Sequence, residues 1–281
     1  MRRSTTSAGT DTSARSGTSA GTRRKVGAVL GAELVCAVLL VSNPTAVPAG
    51  PQVAAPVSYT QSASPAPLTV ETPDGRTAQL VDLGAPGGTA LLERIAGELP
   101  AATEAVTAFW GPHWRRDISV VVAGSAEQFA VLAGGGADVA ATATPERIMF
   151  SPNAGTMTDT DLRTVLRHEL FHYAARPDTA ADAPVWLTEG VADYVGRPPA
   201  AAPPAAAPAP PSDAELATPG PGRSAAYDRA WGFATYVADT YGAQKLRDLY
   251  AAACGPGHPD VATAVRDVLG TDLHTLLEGA G

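Results

Sequence analysis

Hydrophobic and polar positions change period several times along this chain, and the changes divide it into segments. Residues 26–42 are an apolar run interrupted only by Glu33. Helical spacing begins at residues 89–110, where Leu91, Leu92, Ile95, Leu99, Val106, Phe109 and Trp110 recur along one face. This predicts a helix that Pro100 bends or restarts. Residues 118–123 (ISVVVA) are continuous and β-branched, as expected of a buried strand. Ser125 then caps a short helix over 126–132, which Gly134-Gly135-Gly136 ends. Residues 139–144 and 147–151 are short strand candidates. A helix starts at Thr158 or Asp159 and runs to about Ala174, with Leu162, Val165, Leu166, Leu170 and Phe171 on its apolar side. Another covers 184–195, with Pro184 near its first turn. Further helical patterns follow at 224–241, 243–253, 260–269 and 272–277. Strands come early and helices late, which predicts an α+β fold.

The segments between these elements set the domain organisation. Residues 1–25 are polar and rich in Ser, Thr and Gly, with a basic cluster at Arg23-Arg24-Lys25, and read as a disordered tail. The 26–42 run follows directly, and no Lys or Arg appears after it until Arg76. That asymmetry keeps the tail in the cytoplasm and directs the remainder outward. Two readings of 26–42 stand: a transmembrane signal anchor, or a signal peptide cut near Val47-Pro48-Ala49. The poor cut site favours the anchor. Residues 43–77, rich in Pro, Ala, Ser and Thr, read as an extended stalk. The folded domain is expected over 78–281, with a Pro/Ala-rich loop at 197–222 that holds nine prolines and cannot be regular.

Charge narrows the partners. The chain of 281 residues has a formal net charge of −8. Six basic residues lie within 1–25, so the rest holds 14 basic against 27 acidic residues. An acidic body argues against nucleic acid. Cys36 and Cys254 are the only cysteines, and Cys36 sits in the apolar run, so there is no disulfide framework.

The chemistry-bearing stretch is His168-Glu169-Leu170-Phe171-His172. Residues four apart on a helix share a face, so two imidazoles can hold one metal ion. Glu169 between them is placed to act as general base on a water at that ion. Two histidines do not complete a catalytic zinc site, which takes three protein ligands and keeps a position open. Seventeen residues on stands Glu189, and four further Asp193, both on one side of the next helix. Two carboxylates at that spacing repel in water. A cation beside Glu189 and a ligand imidazole N–H beside Asp193 would make both favourable. His113, His258 and His274 have no partner at ligand spacing and are expected to be structural.

With Trp186-Leu187-Thr188-Glu189-Gly190 as a second motif, residues 78–281 resemble the gluzincin zinc metallopeptidases, and more narrowly the peptidase MA-like proteins, whose second motif commonly reads W-L-x-E-G. The resemblance implies Zn2+ held by His168, His172 and Glu189, with Glu169 as general base and Asp193 orienting a histidine. It also implies a Tyr or His donor to the oxyanion, for which Tyr227 is the candidate, and an edge strand that pairs with extended substrate, for which residues 147–151 are the candidate. The expected function is hydrolysis of peptide bonds in a peptide or protein substrate, outside the cytoplasm. Two alternatives remain: a zinc hydrolase on a non-peptide amide such as a cell-wall cross-link, and a non-catalytic surface protein stabilised by zinc.

Overall fold

Alternation along the strands builds a sheet with both faces covered. The computed structural model describes residues 67–136, 138–199 and 206–278. The tail, the 26–42 run and most of the expected stalk lie outside them. No helix among the described residues is long and apolar enough to cross a membrane. Five strands, β1 (Leu68–Glu71), β2 (Thr77–Asp82), β3 (Asp117–Val122), β4 (Ala141–Ala143) and β5 (Ile148–Phe150), form one sheet in the order β1-β2-β3-β5-β4. β2, β3 and β5 are mutually parallel, and the outer strands β1 and β4 run antiparallel to their neighbours. Successive side chains point to opposite faces. Ile118, Val120 and Val122 therefore enter the main core, while Val121 meets Met149 and Phe129 in a second cluster. Phe129 is supplied by α2 (Ala126–Ala133), capped by the Ser125 side chain as expected.

Helices cover the main-core face. α1 (Gly88–Trp110) buries Leu91, Leu92, Ile95, Leu99 and Val106. It runs through Pro100 without restarting: the lost backbone bond is outweighed by apolar burial on both sides of the proline. α3 (Asp159–Ala175) is capped by Thr158, which accepts from Asp161 N. From Leu170 to Ala175 every residue of α3 is buried. Phe171 meets Phe109 and Trp110 of α1 and, on α7 (Ala243–Cys254), Tyr250, at centroid separations of 5.8, 5.6 and 5.4 Å. This aromatic contact fixes the rotation of α3 and with it the direction of the flanking histidines. α4 (Val185–Gly196) packs against α3 and against α6 (Pro221–Tyr241). Glycine permits both approaches: a Cβ on Gly190 would meet Ala230 O at 2.4 Å, and one on Gly196 would meet Thr164 O at 2.8 Å. α8 (Val261–Leu269) and α9 (Leu273–Glu278) complete the helical half.

Three expectations are corrected. The folded part begins before residue 78, because β1 lies within the expected stalk and pairs with β2. The signal was Thr72-Pro73-Asp74-Gly75, a turn sequence in which Gly75 takes φ +78°. Arg76 then buries its guanidinium 3.6 Å over the Trp114 ring. The proline-rich 197–222 loop is not wholly irregular. It contains α5 (Asp213–Ala217), where Ser212 and Glu215 form a capping box and Leu216 reaches the core. α6 also starts inside that segment, with Pro221 in its first turn. Finally, residues 147–151 do not form a sheet edge: β5 lies between β3 and β4, and β4 is the edge.

Candidate metal centre

Two successive helices supply the donors. His168, Glu169 and His172 project from the buried half of α3, and Glu189 and Asp193 from α4. His168 Nε2 and His172 Nε2 are 3.1 Å apart. Glu189 Oε2 lies 3.2 Å from His168 Nε2, and its Oε1 lies 3.7 Å from His172 Nε2. One ligand atom from each of the three falls within 4.8 Å of the others. Two nitrogens each about 2.0–2.1 Å from a tetrahedral zinc would be separated by about 3.3 Å, so the spacing fits that ion.

The donor set fits a cation on a second ground. Glu189 is 1 % exposed, and among the described residues neither of its oxygens accepts a hydrogen bond of good geometry. A buried carboxylate left this way costs several kcal/mol by rough measure unless a cation or proton compensates. Burial alone would raise its pKa, but His172 and His168 overcome that and hold it at about 2. The group thus stays ionised and aimed at two imidazoles.

Asp193 meets the other ring nitrogen of His168. Its Oδ1 accepts from His168 Nδ1–H at 2.9 Å, which leaves the Nε2 lone pair for a metal. Burial opposes charge on His168, yet Asp193 and Glu189 prevail and push its pKa up to about 10, so an incoming ion would displace the Nε2 proton. His172 lacks such a partner, and burial moves its pKa down. Arg197 secures Asp193 from behind: its Nη2 is 2.6 Å from Asp193 Oδ2, and its Nη1 donates to Asp228 Oδ1 at 2.7 Å.

Glu169 is wholly buried, and its Oε2 accepts from Ala143 N–H at 2.7 Å. Arg176, one turn past His172, donates from Nη2 to Ala143 O at 3.0 Å. Ladder bonds at Ala140 O and Thr144 N flank this point, so alternation turns the polar groups of Ala143 outward. The outer edge of the sheet therefore touches the α3 motif directly at β4.

A cleft that takes in about 540 Å³ of space, part of it bulk solvent, adjoins the group. His172 and Glu189 line it, together with Arg176, Thr179, Val185 and Tyr250. His168, Glu169 and Asp193 are buried behind that lining. Tyr227, the expected oxyanion donor, is buried on α6 and is not among the cleft-lining residues. Tyr250 is the aromatic hydroxyl that lines the cleft. It bonds Thr179 Oγ1 at 2.9 Å, and burial moves its pKa far up, so it keeps its proton. Sequence reasoning missed it because α7 lies far along the chain and carries no motif. His113, His258 and His274 lie outside the three-residue group. Cys254 is a buried free thiol.

No family model matches this chain, and no curated protein sequence matches it. Among solved structures it is similar to a point mutant of an M1 zinc metallopeptidase from Deinococcus radiodurans, at 19 % identity and a TM-score of 0.41. The match covers 76 % of this chain and 50 % of that one, so the chain spans about half the length of that protein. At that score the likeness assigns neither family nor activity. What the described residues themselves contain is a mixed α+β domain with a buried His-His-Glu group able to hold a metal ion.

Proposed function

We propose that this chain is a zinc-dependent hydrolase of peptide bonds, of the gluzincin type. The observation that carries the reading is Glu189, a buried carboxylate that faces two imidazole nitrogens and accepts no hydrogen bond of good geometry among the described residues. His168, His172 and Glu189 would hold the ion, three donors being the number that leaves a catalytic zinc open to solvent. Zinc held there supplies a Lewis acid that acidifies water and polarises a carbonyl. Glu169 accepts the proton of the attacking water and returns it to the leaving amine. Asp193 keeps His168 in the Nδ1–H tautomer, and Arg197 keeps Asp193 in place. Tyr250, which lines the cleft, is the residue to which we assign donation to a developing oxyanion, in place of Tyr227. The basic cluster before residues 26–42 supports an external location for the domain, on a signal anchor or after cleavage.

The test is metal content followed by peptide cleavage. Wild type is expected to carry near-stoichiometric zinc and to lose cleavage of a peptide library under chelation. His168→Ala and Glu189→Ala are expected to lose the metal, and Glu169→Gln to keep it without activity. Full zinc in Glu189→Ala would remove the third ligand and the reading with it. Full zinc in wild type with no cleavage of any peptide would reject the peptidase assignment.

A further inference from the structure

A second opening lies among α1, α3, α4, α6 and the start of α7, and it shares no lining residue with the metal cleft. It encloses about 1020 Å³ of space, part of it open to bulk solvent. Phe109, Tyr194 and Trp231 wall it, and small residues on α1, Ala105 and Ala108, keep it open. Two arginines face it with different engagements. Arg197 is taken: Asp193 and Asp228 hold both arms, and its guanidinium lies 5.1 Å over the Trp231 ring. Arg167 is not held in this way. Its Nε is buried without a hydrogen-bond partner, and no carboxylate lies in ion-pair range among the described residues. Glu98 is lowered chiefly by hydrogen bonds from Arg163 and only in part by the charge of Arg167. Both Glu98 oxygens accept from Arg163 at 2.8 Å. Thr235, 6 % exposed, also lines the groove and has a buried hydroxyl with no partner among the described residues.

Buried donors without acceptors are costly and rare. Here the Nε of Arg167 and the hydroxyl of Thr235 are such donors, and both residues line one aromatic-walled groove. A planar fork matches a carboxylate through two parallel N–H···O bonds. Exposed Asp239 on the same lining disfavours a dianion and turns a single negative charge toward Arg167. From these features we infer that the groove binds a carboxylate bearing an aromatic ring, the C-terminal aromatic residue of a peptide being the simplest form. The carboxylate meets Arg167 and the Thr235 hydroxyl, and the ring packs against Phe109 and Tyr194. The inference does not rest on the hydrolase reading, since the groove is separate from the metal cleft.

The probe is N-acetyl-L-phenylalanine, compared with its neutral amide, binding to the full chain by ligand-observed NMR titration. Saturable binding of the carboxylate is expected, with the amide weaker by about tenfold or more, the usual effect of losing a charge-assisted bond. Arg167→Gln is expected to weaken the carboxylate by a similar factor while leaving the weak amide binding unchanged. Ala108→Leu, an exposed position that narrows the groove without opening a cavity, is expected to weaken both probes. It serves if Arg167→Gln fails to fold. Three results overturn the inference: no saturable carboxylate binding, equal binding of acid and amide, or carboxylate binding that survives both substitutions. The last would place the probe at the metal cleft instead.

Discussion

Gly190→Ala is the sharpest test of how the fold holds Glu189. Glycine inside a helix ordinarily costs about 1 kcal/mol relative to alanine, so propensity alone predicts stabilisation. The packing predicts the reverse. The added Cβ would sit 2.4 Å from Ala230 O and 2.7 Å from Ala230 C, both backbone atoms of α6. Ordinary contact begins near 3.4 Å, so about 1 Å of separation must open between α4 and α6. Overpacking of this kind costs about 1–3 kcal/mol, and the obstacle is a helix backbone that cannot rotate aside. The clash offsets the propensity gain and leaves a net loss of up to about 2 kcal/mol. Glu189 is the preceding residue, and metal–ligand distances tolerate only about 0.2 Å. Metal should therefore be lost along with stability. Urea denaturation gives the first quantity, and metal analysis after desalting gives the second. Gly97→Ala is the control: it is exposed, within α1, and its Cβ meets nothing within 4 Å. That substitution should stabilise by about 0.5–1 kcal/mol. If Gly190→Ala matched or exceeded wild type in stability and kept its metal, the account of α4 as a helix wedged by glycine would be wrong.

Four further outcomes are expected. Asp193→Ala should weaken metal affinity about 10–100-fold, read by competition with a chelator, because His168 loses the acceptor that sets its tautomer. Phe171→Ala should cost about 3–5 kcal/mol in denaturant melts, since it empties the contact among α1, α3 and α7. Tyr250→Phe should lower kcat with metal retained, while Tyr227→Phe should not; the opposite pattern in steady-state assays would return the donor role to α6. In metal-stripped protein, Glu189 is depressed from 4.5 to about 2, so its contribution is complete above 4.5 and lost as pH falls toward 2. His168 is raised from 6.5 to about 10, so its contribution is complete below 6.5 and lost as pH climbs through 10. Melting temperatures across this range should fall at both ends, and Glu189→Gln should flatten the acid arm.

Local signals in this chain were legible because the forces behind them are local. Thr158 and Ser125 announce their helices through a side-chain bond to the next turn, and both caps stand where the pattern puts them. The Ser212–Glu215 capping box and the Pro73-Asp74-Gly75 turn were equally local, but each lay in a stretch whose composition spoke for disorder. Composition averages over a window and hides a motif of four residues. The order of the strands had no such signature. β4 and β5 are both three residues long, and only the packing of β5 beside β3 makes β4 the edge.

By itself the sequence determined that two imidazoles and a glutamate share one helix, since a spacing of four residues is a property of the helix alone. It also placed two carboxylates on one face of the next helix. Tertiary structure decided that these faces meet: Glu189 comes within 3.2 Å of His168, and Asp193 takes its other nitrogen, because Gly190 and Gly196 let α4 pack closely against both neighbours. It alone brought Tyr250 to the cleft and left the Nε of Arg167 without an acceptor among the described residues. Distances within a helix follow from backbone geometry, whereas distances between helices depend on side-chain volumes contributed by distant parts of the chain.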